Sequence, residues 1–158
     1  NKEAKKISAG DKATIILDKT SFYAESGGQI GDTGELIKGK NVFEVLDTKK
    51  CGKVILHIGK VKTGNFKNND SVSSNVNIKR RLSIARNHTA THLLQAALRR
   101  VLGEHVQQQG SLVAEDRLRF DFAHFKALEP EQIKRIEELV NQNIQKNFKV
   151  FTKEMALK

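Results

Sequence analysis

The sequence predicts an α+β fold, with a small β-rich first part and an α/β two-layer second part, and three features carry that prediction. Residues 13–78 alternate short Val- and Ile-containing runs with glycine and asparagine, the texture of antiparallel strands joined by tight turns. Apolar residues then recur at helical spacing through Ala90, Leu93, Leu94, Ala97, Leu98 and Val101. Beyond them Leu118, Phe120 and Phe122 alternate with Arg119 and Asp121, the period of a strand buried on one face.

In the first part the runs Ala13 to Leu17, Val42 to Leu46, Val54 to Ile58 and Val72 to Ile78 are the strand candidates. Gly27-Gly28, Gly31, Gly34, Cys51-Gly52 and Gly64-Asn65 punctuate them. Breaks this frequent leave no room for a long helix and favour a small antiparallel barrel or sandwich. From Lys79 onward a helix of several turns is expected, ended by Gly103. The segment Val106 to Ser111 reads as a polar loop leading to the strand at Leu118. A second helix starts at Pro130, with Glu131 complementing its N-terminus and Ile133, Ile136, Val140 and Ile144 forming one stripe. The tail from Phe148 to Lys158 has room for one more strand. The expected division is a β-barrel-like subdomain over residues 1–78 and an α+β subdomain with a long metal-site helix over residues 79–158.

Composition narrows the partners. The 158 residues carry a net charge of +10, an excess that favours polyanions through counterion release. No apolar run approaches the roughly 20 residues of a membrane span, and the N-terminus lacks the apolar core of a signal peptide. A cytoplasmic protein without a membrane partner is expected. Cys51 is the single cysteine, which excludes an internal disulfide and suits a reducing compartment.

The chemistry concentrates in His88-Thr89-Ala90-Thr91-His92. Two imidazoles four residues apart on a helix point the same way and can share a metal ion. Such pairs arise by chance on many helices, but here His88, His92, Gln95 and Arg99 gather opposite the apolar stripe, where a core histidine is not expected. Thr89 stands where a zinc protease needs its glutamate, so peptide hydrolysis of that kind is disfavoured. Phe22 to Gly34 holds four glycines among polar groups, either a hairpin turn, which composition alone favours, or a surface where backbone approaches a ligand closely. It matches no phosphate-binding fingerprint. Lys79, Arg80, Arg81, Arg86, Arg99 and Arg100 crowd the first helix, and Lys38, Lys40, Lys49, Lys50 and Lys53 dot the first part, a distribution open to nucleic-acid contact. Cys51 reads as a turn residue, and His105 and His124 are the other histidines after His92.

Taken together these segments resemble the editing domain of the alanyl-tRNA synthetase family. Phe22 to Gly34 is similar to its glycine-rich motif, and Arg86 to Leu94 to its metal-binding helix. Val101 to Val113, followed by Leu118-Arg119-Phe120-Asp121-Phe122, continues the likeness in the same order. Several motifs in register are more specific than any one of them, and the resemblance runs from about Asp11 to Phe148.

The resemblance implies a proofreading hydrolase. A synthetic site shaped for alanine excludes glycine poorly and rejects serine imperfectly, so a second site must remove the errors. It implies hydrolysis of Ser-tRNA(Ala) and Gly-tRNA(Ala) at the tRNA(Ala) acceptor end. Zinc ligation falls on His88 and His92, catalytic pocket roles on Thr91 and Gln108, and substrate-lining roles on Glu25, Ser26, Gly27, Gly28 and Gln29. Thr91 is placed to sense a serine hydroxyl that alanine lacks, a discrimination of about 1 to 3 kcal/mol. The family completes its zinc site with a later Cys-x-x-x-His, which does not occur in this sequence. The expectation is therefore an incomplete zinc site in the front part of an editing region. ATP and magnesium are expected only in a separate aminoacylation domain of the parent enzyme.

Overall fold

The computed structural model describes residues 3–149 together with residues 151, 153 and 155. Seven strands precede the first helix: β1 (Lys6–Ser8), β2 (Lys12–Ile15), β3 (Gly34–Lys38), β4 (Asn41–Cys51), β5 (Val54–Thr63), β6 (Asn65–Lys67) and β7 (Ser73–Val76). Then come α1 (Ile78–Leu102), β8 (Gln108–Val113), β9 (Leu118–Phe122) and α2 (Pro130–Lys146). The α+β class is as the sequence predicts.

The barrel is not. Five strands form an open sheet in the order β2-β5-β4-β3-β7, all neighbours antiparallel, and β1 pairs with β6 in a separate two-stranded sheet. Among the described residues β2 and β7 are free edges, so the sheet does not close. Closure requires the last strand to return to the first, but β7 ends at Val76 and the chain enters α1 at Ile78, leaving the sheet instead of completing it. The turn reading fares better: Gly39, Gly52 and Gly64 all have positive φ between or beside consecutive strands.

The sheet's inner face buries Phe22, Leu36, Phe43, Val45, Val61 and Phe66, with Ile7, Ala13, Ile15, Leu17, Val72 and Val76 packed around them. Alternation decides which residues these are, since Phe43 and Val45 of β4 and Val61 of β5 point inward while their neighbours face out. Polar residues join this interior, Thr48 of β4 and His57 among them. His57 on β5 has no solvent exposure. Its Nδ1–H donates to the Ile15 carbonyl at 3.0 Å, which leaves Nε2 to accept from the Thr20 hydroxyl at 2.8 Å. The Thr20 oxygen in turn accepts the Phe22 N–H at 3.1 Å. A neutral imidazole thus ties the 15–22 segment to the sheet, and burial holds its pKa below the ordinary 6.5.

That shift fixes the sign of a pH effect. The unfolded chain takes up a proton near pH 6.5 that folded His57 resists, so stability is full above 6.5 and falls as pH drops through that value toward the lower folded pKa. The urea midpoint should fall between pH 7.5 and pH 5.5. His57→Gln, which has no proton to take up there, should be weaker at pH 7.5 but lose less on acidification. An equal loss in both proteins would assign the pH dependence elsewhere.

The second layer is α1 against α2 and the β8-β9 ribbon, with Ala97, Leu98, Val106, Ile136 and Leu139 buried among Leu94, Val101, Phe120, Phe122 and Val140. The apolar stripe read from the sequence supplies the α1 share of this core, and β9 occupies the predicted alternating strand. Pro130 opens α2, whose start is fixed by the Glu129 N–H donating to the Gln132 side chain at 3.0 Å. The loop expected at Val106 to Ser111 is a strand from Gln108 on, because β9 supplies its hydrogen-bond partners, from Gln108 opposite Phe122 to Val113 opposite Leu118. Three consecutive glutamines carry no alternation that could have announced it. The further strand expected from Phe148 to Lys158 falls in part outside the described residues, and Phe148, Lys149, Phe151, Lys153 and Met155 are not in a strand.

Candidate functional site

Helix α1 enters the molecule through four anchors. Asn77 caps it, its side chain accepting the Arg80 N–H at 3.1 Å. Arg80 donates to the Gly31 carbonyl at 2.7 Å and pairs with Glu115 at 3.1 Å. Arg81 donates to the Ser21 carbonyl at 2.6 Å and grips the buried carboxylate of Asp32 through Nε, at 3.1 Å, and Nη2. Asn87 donates to the Ala114 carbonyl at 2.7 Å, tying the helix to the chain just after β8. Together these contacts set the position of the next helical turn, which begins with His88.

The glycine-rich segment is both things its composition allowed. Ser26 and Gln29 exchange backbone hydrogen bonds of 3.1 and 3.0 Å across Gly27-Gly28, whose φ values of 57° and 80° make a tight two-residue turn. The same turn packs on β8: Val113 N–H donates to the Gly28 carbonyl at 2.8 Å, and Ile30 N–H to the Val113 carbonyl at 3.2 Å. A Cβ on Gly28 would lie 2.7 Å from the Ser111 carbonyl oxygen. Hence the close backbone approach is to this chain's own strand.

Fixed between β8 and α1, the loop delivers Gln29 to His88. The His88 Nδ1–H donates to the Gln29 side-chain oxygen at 2.7 Å. The His88 and His92 rings stack with centroids 5.1 Å apart and planes 18° from parallel. Burial first, and the neighbouring His92 second, hold the His88 pKa below 6.5, so its ring is neutral at physiological pH. His92 is exposed and His88 half-buried, in keeping with the expected face opposite the stripe. Ser21, Phe22, Tyr23, Gln29, Arg81, Ala85 and His88 line an open cleft of about 490 Å³.

The other expected site residues stand at varying distance from this centre. Thr91 is 5 % exposed and donates its hydroxyl to the Asn87 carbonyl at 2.9 Å, one turn back on α1. Glu25 is exposed and its carboxylate lies 3.8 Å from Lys49, while the Ser26 carbonyl accepts the Tyr23 hydroxyl at 3.1 Å. Gln108 is exposed at the start of β8, five residues and roughly 16 Å of strand from Val113, where the loop docks. The structure therefore unites the glycine-rich turn and the histidine helix, with Gln108 at the opposite end of β8.

For a zinc ion the two imidazoles fit as ligands, since a neutral His88 with Nδ1–H engaged presents a bare Nε2, the usual donor arrangement. Among the described residues no cluster of three or more histidine, cysteine, aspartate or glutamate side chains surrounds them. His105 and His124 do not complete it: they hydrogen-bond to each other, Nε2 to Nδ1 at 2.9 Å, with Phe125 stacked on His105. Cys51 is exposed at the end of β4.

Sequence reasoning missed the four anchors. Arg80 and Arg81 read as members of a basic patch, yet both are bound to the glycine-rich segment, and Arg99 pairs with Glu104. The partner of Arg81 is Asp32, one of two acidic residues in the glycine motif and 49 positions earlier in the chain. Nothing local could have matched them.

Residues 1–80 match the family model for tRNA synthetases class II (A). The chain belongs to that family. It is 52 % identical over 150 residues to an "Alanine--tRNA ligase" of Dehalococcoides mccartyi strain CBDB1, and 51 % identical over 150 residues to the protein so named in strain BAV1. Each match covers 94 % of this chain and 17 % of the relative, so this class II synthetase chain spans about a sixth of the length of the relatives it matches. The likeness to them extends past residue 80, into the part that carries α1.

Proposed function

We propose that this chain is the front part of the editing region of an alanyl-tRNA synthetase and contributes half of the site that hydrolyses Ser-tRNA(Ala) and Gly-tRNA(Ala). The observation that carries the reading is the junction of the glycine-rich turn with the histidine pair through Gln29 and His88. The 52 % identity to an alanine–tRNA ligase supports the alanyl branch. On this reading residues 1–78 and 79–158 are the two subdomains, and the enzyme works in the cytoplasm. The parent synthetase joins alanine to tRNA(Ala) with ATP and magnesium in another domain.

His88 and His92 would hold zinc, the remaining ligands coming from the Cys-x-x-x-His that the family places later. Bound there, zinc supplies a Lewis acid that polarises a water or orients the terminal ribose. The chain's own residues do the rest. Burial keeps His88 neutral and able to ligate. Gln29, at the end of the glycine-rich turn, lines the cleft, and Thr91, buried beside the pair, retains lone pairs that can accept from a serine hydroxyl. Gln108 would need its end of β8 brought toward the acceptor end to position the ester. The exposed Lys79, Arg86 and Arg100 are the α1 cations that remain for tRNA phosphates.

Hydrolysis of labelled Ser-, Gly- and Ala-tRNA(Ala) tests this, using the 158-residue chain and a version extended through the Cys-x-x-x-His segment of an alanine–tRNA ligase. The extended protein should clear Ser- and Gly-tRNA(Ala) and spare Ala-tRNA(Ala). His88→Ala and His92→Ala should each lower the rate at least tenfold, with copurified zinc lost in parallel. A zinc-loaded extended protein that spares every mischarged tRNA would end the editing reading. A chain that binds tRNA with unchanged affinity after His88→Ala, and never carries metal, would instead be a basic RNA-binding module.

A further inference from the structure

We infer that Gln29 is a positioning residue: its side-chain oxygen holds His88 as the Nδ1–H tautomer and so leaves Nε2, on the far side of the ring, as the nitrogen that meets the metal. The inference rests on the reading of His88 and His92 as zinc ligands. It goes beyond a pocket-lining role for the glycine-rich loop, because Gln29 acts here through the imidazole.

Three observations converge on it. The first is the hydrogen bond itself, 2.7 Å long and made across 59 residues of sequence. The second is that the backbone from which the Gln29 side chain reaches is fixed. Its N–H donates to the Ser26 carbonyl and its carbonyl accepts from Ser26 N–H, at 3.0 and 3.1 Å. On either side of it, Gly28 and Ile30 are bonded to Val113 of β8. The third is the stacking of His88 on His92, which holds the ring plane and leaves the choice of tautomer as its open variable.

That choice matters because a neutral imidazole has one lone pair to give, and the partner of its other nitrogen decides which nitrogen gives it. An amide oxygen at Nδ1 demands a donor there and strips Nε2 of its proton. The opposite amide orientation would present N–H to Nδ1, move the ring proton to Nε2 and block the ligating position. Gln29 therefore does for His88 what a carboxylate or backbone carbonyl does for metal-bound histidines generally, and loss of such a partner typically lowers metal affinity by about 10- to 100-fold.

Long-range proton–nitrogen correlation spectra of the histidine rings, on the ¹⁵N-labelled 158-residue chain without metal at pH 7.5, read the tautomer directly. Wild-type His88 should be Nδ1–H. Gln29→Leu, close in size and lacking an acceptor, should shift His88 toward a tautomer mixture, and Gln29→Glu should restore Nδ1–H. Backbone amide spectra of the same samples show whether the variants are folded. Titration of the protein extended through the Cys-x-x-x-His segment with zinc chloride, followed on the same ring signals, should give an affinity about 10- to 100-fold lower for Gln29→Leu than for wild type, recovering in Gln29→Glu. The proposal is overturned by a wild-type His88 that is Nε2–H, or by Gln29→Leu leaving both tautomer and affinity unchanged while zinc still binds. Rings that ignore zinc in the wild-type protein extended through the Cys-x-x-x-His segment, with the Nδ1–H tautomer present, overturn instead the zinc reading on which the proposal rests.

Discussion

Asp32→Ala should lower the stability of the chain by about 3 kcal/mol at pH 7, the lower end of the range for breaking a buried ion pair. Asp32 is 1 % exposed, and its carboxylate accepts the Tyr23 N–H at 2.6 Å besides the two contacts from Arg81. Removing it leaves a backbone donor and a guanidinium without their acceptor. The figure is held to the low end because the Arg81 side chain is about one-third exposed, so water replaces part of the loss. Urea unfolding at pH 7 measures it. Asp32→Asn keeps an acceptor for Tyr23 but removes the charge and should cost less. Arg81→Met combined with Asp32→Ala should cost clearly less than the two single changes added together, because each single change strands the other partner. Additivity would mean that the two residues act independently.

Gly28→Ala should be destabilising by about 2 to 4 kcal/mol, combining left-handed strain of about 1 to 2 kcal/mol with a clash that nothing flexible can relieve. The added Cβ would meet the Ser111 carbonyl oxygen at 2.7 Å and its Cβ at 2.9 Å, on the strand against which the turn is bonded. Gly27 separates the two causes. It has φ of 57° but open space around its Cβ, so Gly27→Ala should show the strain alone, and Gly27→Asn less still. Thermal unfolding of the three variants reads the difference. Equal losses at Gly27 and Gly28 would mean that the turn does not press on β8. Displacing Gly28 should also weaken the Gln29 contact, moving the His88 ring signals in the Gly28 variant and not in the Gly27 variants.

Local chemistry explains which parts of this architecture could be read in advance. The apolar stripe of α1, the alternation of β9 and Pro130 at the start of α2 are periodic or positional signals that survive in almost any context. Glycines at the turns were visible for the same reason. The closure of the first sheet was not, because it depends on whether two edge strands about sixty residues apart find each other, and β2 and β7 do not. Nor was β8: Gln107-Gln108-Gln109 has no apolar rhythm, and its strand state comes from β9 across the ribbon.

The candidate site divides along the same line. The sequence alone determined that His88 and His92 share a helical face away from the apolar stripe, that Gly27-Gly28 turns, and that the ordered motifs resemble one family. Their spacing along a single chain segment is enough for that. Only the tertiary structure decided that the turn is pressed onto β8, that Arg80 and Arg81 serve as anchors to Gly31 and Asp32 and not only as surface charge, and that Gln29 reaches His88. Those contacts span 49 to 85 residues, and no local propensity encodes them. They follow from two cores, one under the sheet and one under the helices, whose packing brings the end of a loop and the turn of a helix within hydrogen-bond reach.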